Sequence, residues 1–191
     1  MLLNNADALR LGAAIVDRVY AGAAQIWPTT TATITEHLFP SGAAGRPGTL
    51  AVFSDPDAGI NLGFQFACSV TGTRAVALDA YMAAGVTMRP RLYSASGAVL
   101  AQGSAVTAST DGWYRLPFTT AAILDTGTSY TAATYQAATQ KYAAESGRFP
   151  ATVGPIFNTS STSSRYGYGA ETAPADTAAF WFGVDLVAET T

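Results

Sequence analysis

The chain has 191 residues and a formal net charge of −3, a length that suggests one full domain plus an appendage. Asp, Glu, Lys and Arg make up only 12% of it, against about 25% in an average soluble domain, so its surface is largely neutral. Lys141 is its single lysine among ten basic residues, which leaves no patch to neutralise a run of phosphates or an anionic membrane. No apolar run approaches the roughly 20 residues that span a bilayer. The lone Cys68 excludes an internal disulfide and a cysteine-based zinc site, and no other cofactor or metal is expected.

The first five residues, Met1-Leu2-Leu3-Asn4-Asn5, carry no basic charge, and Arg10 follows the apolar stretch, so they do not read as a secretory signal. Residues 6–28, ADALRLGAAIVDRVYAGAAQIWP, are short apolar stretches punctuated by Gly12 and Gly22 and closed by Pro28. The glycines, with β-branched Ile15, Val16 and Val19, weigh against one helix and predict two or three short strands. Residues 29–35, TTTATIT, read as a linker, and residues 36–191 as a second domain.

From Glu36 onward, two-residue alternation is broken by Gly, Pro, Ser and Asp clusters, which predicts an antiparallel sandwich. Leu62, Phe64, Phe66, Cys68 and Val70 share one strand face, and so do Val76, Leu78, Ala80 and Met82 on the next. RPRLYSASGAVLAQG reads as a hairpin turning at Gly97. In GWYRLPF, Tyr114, Leu116 and Phe118 alternate with Trp113, Arg115 and Pro117, and the proline argues for an edge strand. ILDTGTSYTAATYQ reads as a further hairpin around Asp125 to Gly127. Residues 136–179 are long and irregular, and AFWFGVDLV reads as one final strand that closes the sheet. The fold class is therefore all-β, a jelly-roll-like antiparallel β-sandwich with a short N-terminal β element.

Several strings carry possible chemistry. Asp125-Thr126-Gly127 spells an aspartic-protease loop, but that chemistry needs two carboxylates sharing a proton, and no second copy occurs outside a homodimer. Between sandwich strands the tripeptide reads as a turn. Ser54 to Gly59 begins like a calcium loop yet lacks the third and distal ligands, and a solvated turn is the default. His37, the single histidine, has no nucleophile-elbow partner and reads as a structural residue at a strand start. Asn158-Thr159-Ser160 spells a glycosylation acceptor, which has meaning only on a secretory route.

The aromatic residues of the late segment are more informative. Tyr135, Tyr142, Phe149, Tyr166 and Tyr168, with Arg148 and Arg165 between them, are the candidate ligand-binding residues. Flat rings hold the C–H face of a sugar while polar neighbours meet its hydroxyls. The alternative is that they pin loops onto the sandwich or fill a subunit interface. Paired carboxylates for glycan hydrolysis are absent from this segment, apart from the distant Glu145 and Glu171, so no catalytic residue is assigned.

Two resemblances follow from particular residues. Gly12, Val16, Val19, Tyr20, Gly22, Ile26 and Trp27 resemble a short element of tail-associated structural proteins of tailed bacteriophages. The residues Leu62 to Phe66, Leu92 to Gly97 with Leu100, Gly112-Trp113 with Phe118, and Gly127 to Thr131 resemble an uncharacterised β-sandwich family of bacterial surface proteins. Together they imply a non-enzymatic virion protein of the tail, assembled in the host cytoplasm and released by lysis. Residues 1–28 would attach it to other virion proteins and to its own copies, as a homotrimer, through Leu9, Ile15, Val16, Val19, Tyr20, Ile26 and Trp27. The sandwich would face outward toward host-surface glycan. A capsid decoration or head-fibre protein without a ligand uses the same parts, and a glycan-degrading or dimeric aspartic-protease-like enzyme is the rival from another class.

Overall fold

The computed structural model describes residues 47–55, 59–137, 141–148, 159 and 163–190 with their side chains. It also describes the backbone of strands within 9–37 and at 152–153 and 157–158. The chain divides into two compact units, one formed by Met1–Thr33 with Thr191 and the other by Ile34–Thr190.

In the first unit the glycine-punctuated segment forms four strands, more than the two or three expected. Strands β1 (Leu9–Leu11) and β2 (Ala14–Val16) pair antiparallel, as do β3 (Val19–Ala21) and β4 (Ala24–Trp27).

The second unit is the predicted antiparallel sandwich. Its strands in chain order are β5 (Ile34–His37), β6 (Ala51–Ser54), β7 (Ile60–Cys68), β8 (Arg74–Met82), β9 (Thr87–Ser94), β10 (Val99–Gln102) and β11 (Val106–Thr107). They continue with β12 (Gly112–Ile123), β13 (Ser129–Gln136), β14 (Lys141–Ser146), β15 (Thr152–Val153), β16 (Phe157–Asn158) and β17 (Ser164–Tyr168). Last come β18 (Asp176–Thr177), β19 (Phe180–Trp181) and β20 (Val184–Thr190). The larger sheet runs β10-β9-β13-β7, with β16 and β17 dividing the far edge of β7 between them. The facing sheet runs β12-β8-β20-β5, and β19, β14 and β6 form a small third sheet.

The core follows from the alternation. Phe64, Phe66 and Cys68 of β7 meet Leu78, Ala80 and Met82 of β8, Leu116 of β12 and Val184 and Leu186 of β20. Phe66 packs between Phe64 and Tyr130 at ring separations of 5.8 and 5.7 Å. Each such side chain, fully buried, contributes about 1.5–3 kcal/mol. Pro117 lies on β12, which among the described residues pairs with β8 alone and is an edge strand, as the missing N–H requires.

Several expectations are corrected. A bulge in β8 at Val76 shifts the register against β20, and β12 makes its own longer excursion between Pro117 and Ala122, so Ala75 enters the core and Val76 is left half-buried. The turn at Asp125–Gly127 joins two different sheets, since β12 pairs with β8 whereas β13 pairs with β7 and β9, so it is no hairpin. The segment 136–179 is not irregular but carries β14 to β18. The final segment breaks at Gly183, whose φ is +64°, and β20 lies inside its sheet between β8 and β5 rather than closing it. Ile34 and Thr35, assigned to the linker, pair with β20, and His37 ends its strand instead of starting one.

Candidate functional site

Past the inner end of the sandwich, β7 begins with Ile60 and Leu62, which leave the main core and join a satellite cluster with Ala144 and Phe182. The break at Gly183 makes this possible, because it turns Phe182 toward β14 and β17 and lets Trp181 bury on the opposite side, its indole N–H donating to the Val184 carbonyl at 2.8 Å. Phe180, in β19 opposite Ser146 of β14, is half exposed.

These residues floor a cavity of about 340 Å³ walled by Phe53, Tyr142, Tyr166, Tyr168 and Phe180. Phe53 stacks on Tyr142 at 5.8 Å and 26° between planes, and Tyr142 meets Phe182 edge-on at 5.9 Å. Tyr166 touches both Phe182 at 6.4 Å and Tyr168 at 5.8 Å. The Tyr168 hydroxyl donates to Asp55 Oδ2 at 2.7 Å, which fixes the ring at the rim. Phe53, Tyr168 and Phe180 are 47%, 47% and 50% exposed, an unusual amount of open aromatic surface around one opening.

Of the seven candidate binding residues, Tyr142, Tyr166 and Tyr168 converge here. Tyr135 does not: it lies on the outer face of β13, opposite Asn61. Arg148 is a clamp, bonded to Glu145 at 2.7 Å and seated 5.7 Å over the Trp181 ring. Arg165 also sits on the outer face, donating to Gln65 Oε1 at 2.5 Å, and burial pushes its pKa down from the ordinary value. Phe149 lies outside the described residues, as do the side chains of Leu9, Ile15, Val16, Val19, Tyr20, Ile26 and Trp27. Phe53, Phe180 and Phe182 are not legible as site residues in the sequence: alternation puts Phe180 and Phe182 on one face of the expected final strand, Phe53 falls in no expected element, and nothing local shows the small sheet that brings them together.

The remaining motifs take structural places. Asp125 is exposed in its turn, where its N–H donates to the Tyr130 hydroxyl at 2.7 Å and the Gly127 N–H donates to the Cys68 carbonyl at 2.8 Å. Glu145 is taken by Arg148, and Glu171 by Arg89 and Arg91 at 3.1 and 2.9 Å. Asp79 and Asp185 are buried directly opposite each other on β8 and β20, and Arg115 donates to both Asp79 oxygens through Nε and Nη2 along one edge of its guanidinium. No group of three or more His, Cys, Asp or Glu side chains is placed to hold a metal among the described residues.

A family model described as a domain of unknown function, DUF4082, matches residues 47–182, from just before β6 to the break before β20. The chain belongs to the DUF4082 family. The aromatic cavity falls wholly within the span that defines this DUF4082 domain. No curated protein matches the chain in sequence. Among solved structures it is similar to a clostridial cysteine protease captured after propeptide cleavage, at a TM-score of 0.55 and 8% identity. That match covers 83% of this chain but only 40% of the protease chain, so the DUF4082 protein spans well under half of its neighbour's length. At that identity the likeness bears on the all-β fold alone.

Proposed function

We propose that the chain is a non-catalytic binding protein that holds a host-surface glycan in the aromatic cavity, displayed from the tail of a virion. The observation that carries this reading is the convergence of six rings, three of them half exposed, on one opening of about 340 Å³. A pyranose ring presents C–H groups to flat aromatic faces, and the lining supplies polar partners for its hydroxyls through Tyr168, whose hydroxyl is oriented by Asp55, and Thr177. The engagement of Glu145 and Glu171 by arginines supports a site that binds without cleaving.

The virion placement and the homotrimer rest on the resemblance of residues 1–28 to a phage attachment element. The strands pair two by two, and an isolated two-stranded hairpin is marginal in water, which supports packing against copies or a docking surface.

The test is binding of the full chain to a panel of neutral oligosaccharides by calorimetry, for the native protein and a Phe53→Ala/Tyr168→Ala variant. Both rings are rim residues outside the main core, so circular dichroism should be unchanged while affinity falls at least tenfold. Binding that survives both truncations would sink the cavity reading. A protein that oligomerises but binds no glycan would instead be virion architecture, of the capsid-decoration kind.

A further inference from the structure

The β17–β18 hairpin has a tip, residues 169–175, that folds back over the outer face of the larger sheet instead of projecting into solvent. Asn61 Nδ2 donates to the Ala170 carbonyl at 2.9 Å, and the Gly169 N–H donates to the Gly59 carbonyl at 3.0 Å. Pro174 lies over Gly167, and Ala173 reaches the β9–β10 turn beside Gly97. Beneath this strap, Arg165, Gly63, Ala133 and Arg91 stand in one register row across β17, β7, β13 and β9. The neighbouring row is Gly167, Asn61, Tyr135 and Arg89. Arg165 and Arg91 thus flank the small pair Gly63 and Ala133, and Arg89 ends the next row beside Tyr135, a basic strip on an otherwise neutral molecule.

The strap lays a carboxylate on that strip. Glu171 Oε2 accepts a hydrogen bond from Arg89 Nη1 at 3.1 Å and forms an ion pair with Arg91 Nη2 at 2.9 Å. Its other oxygen, Oε1, is buried without a hydrogen-bond partner, and so are Arg91 Nε and Asn61 Oδ1. A guanidinium offers two parallel N–H groups to a carboxylate, and here the tethered side chain uses only one of them on Arg91. Leaving buried donors and acceptors unmatched weakens the occupant the strap supplies. An untethered carboxylate can meet Nε and Nη2 together.

We propose that Arg89 and Arg91 form a carboxylate-binding site for a uronate-bearing glycan, and that Glu171 is an internal competitor which such a glycan displaces. This rests on the glycan reading of the cavity only for the class of ligand. The strap's two ends run into Tyr168 and into Thr177 to Phe180, the rim of the cavity, so one hairpin serves both sites.

The experiment titrates oligogalacturonate and its methyl ester into the full chain, comparing the native protein with Glu171→Ala and the more conservative Glu171→Gln. Removing the competitor should tighten binding of the acid at least tenfold in Glu171→Ala, and by a smaller factor in Glu171→Gln. The methyl ester should gain nothing, and adding Arg91→Gln should abolish the gain. Equal affinity in all three proteins, or a gain that persists with the ester, overturns the proposal. An equal gain for a polyglutamate peptide overturns its assignment to sugar. Neutral oligosaccharides are titrated in parallel: a Glu171 effect without neutral binding condemns the cavity alone, and neutral binding without a Glu171 effect condemns the arginine site alone.

Discussion

Gly183 interrupts what alternation would make one strand from Phe180 to Thr190. Its φ of +64° is one that a side chain adopts only with strain, and a Cβ there would come within 2.8 Å of Leu50 Cδ1 and 3.2 Å of Tyr81 Cβ. The Gly183 carbonyl also accepts the Tyr81 N–H at 2.8 Å, so the bend is tied to β8. Gly183→Ala should therefore cost about 2–3 kcal/mol in urea denaturation, and a loss below about 0.5 kcal/mol would show that the bend relaxes freely. Tyr93 presents a different residue-scale effect. It is buried on the outer face of β9, and burial pushes its hydroxyl above the ordinary value of 10, against the opposing pull of Arg91. The unfolded chain ionises this tyrosine first, so its contribution is intact below pH 10 and is lost as pH rises through the higher folded value. The urea midpoint should fall above pH 10, and Tyr93→Phe should flatten that fall.

Among the elements, β8 shows how a strand departs from strict alternation without losing its core. The bulge between Ala75 and Ala77 places one extra residue opposite β20 and moves Val76 off the inner face. Ala75 is then fully buried, and a larger side chain has no space there. Ala75→Thr should destabilise by about 1–3 kcal/mol by overpacking, and Val76→Thr should stay within about 1 kcal/mol. The reverse order, measured by thermal unfolding, would restore the unbulged register. The β12–β13 connection makes the same point for turns. Asp125-Thr126-Gly127 is legible as a turn from its residue types, yet nothing local tells whether the strands it joins pair with each other or lie in opposite sheets. Strands β14 to β18 were not legible, because they are short, carry few large apolar side chains, and draw their pairing from distant partners such as β6 and β7.

At the scale of the molecule, the unit Ile34–Thr190 contains its own core, and the first strand of that unit pairs with its last. A protein beginning at Ile34 should therefore unfold cooperatively near the native temperature, whereas beginning after His37 removes β5 and leaves β20 with an open edge. On the proposed division, the shorter protein keeps glycan binding and loses the trimer, which light scattering measures directly. Loss of binding with the first 33 residues would place part of the site in the N-terminal unit.

The sequence by itself determined the all-β class, the inward face of β7, the edge position of β12 and the β9–β10 hairpin. Each of these depends on side-chain period or on the backbone preferences of Gly and Pro, which are properties of neighbouring residues. It also marked Tyr142, Tyr166 and Tyr168 as a set worth watching. Only the tertiary structure decided that Phe53, Phe180 and Phe182 join them, that Tyr135, Arg148 and Arg165 do not, and that Glu171 lies on Arg89 and Arg91. Those groupings join residues as far apart as Phe53 and Phe182 through sheet order and strand breaks, and sheet order is a compromise of the whole core that no local pattern encodes.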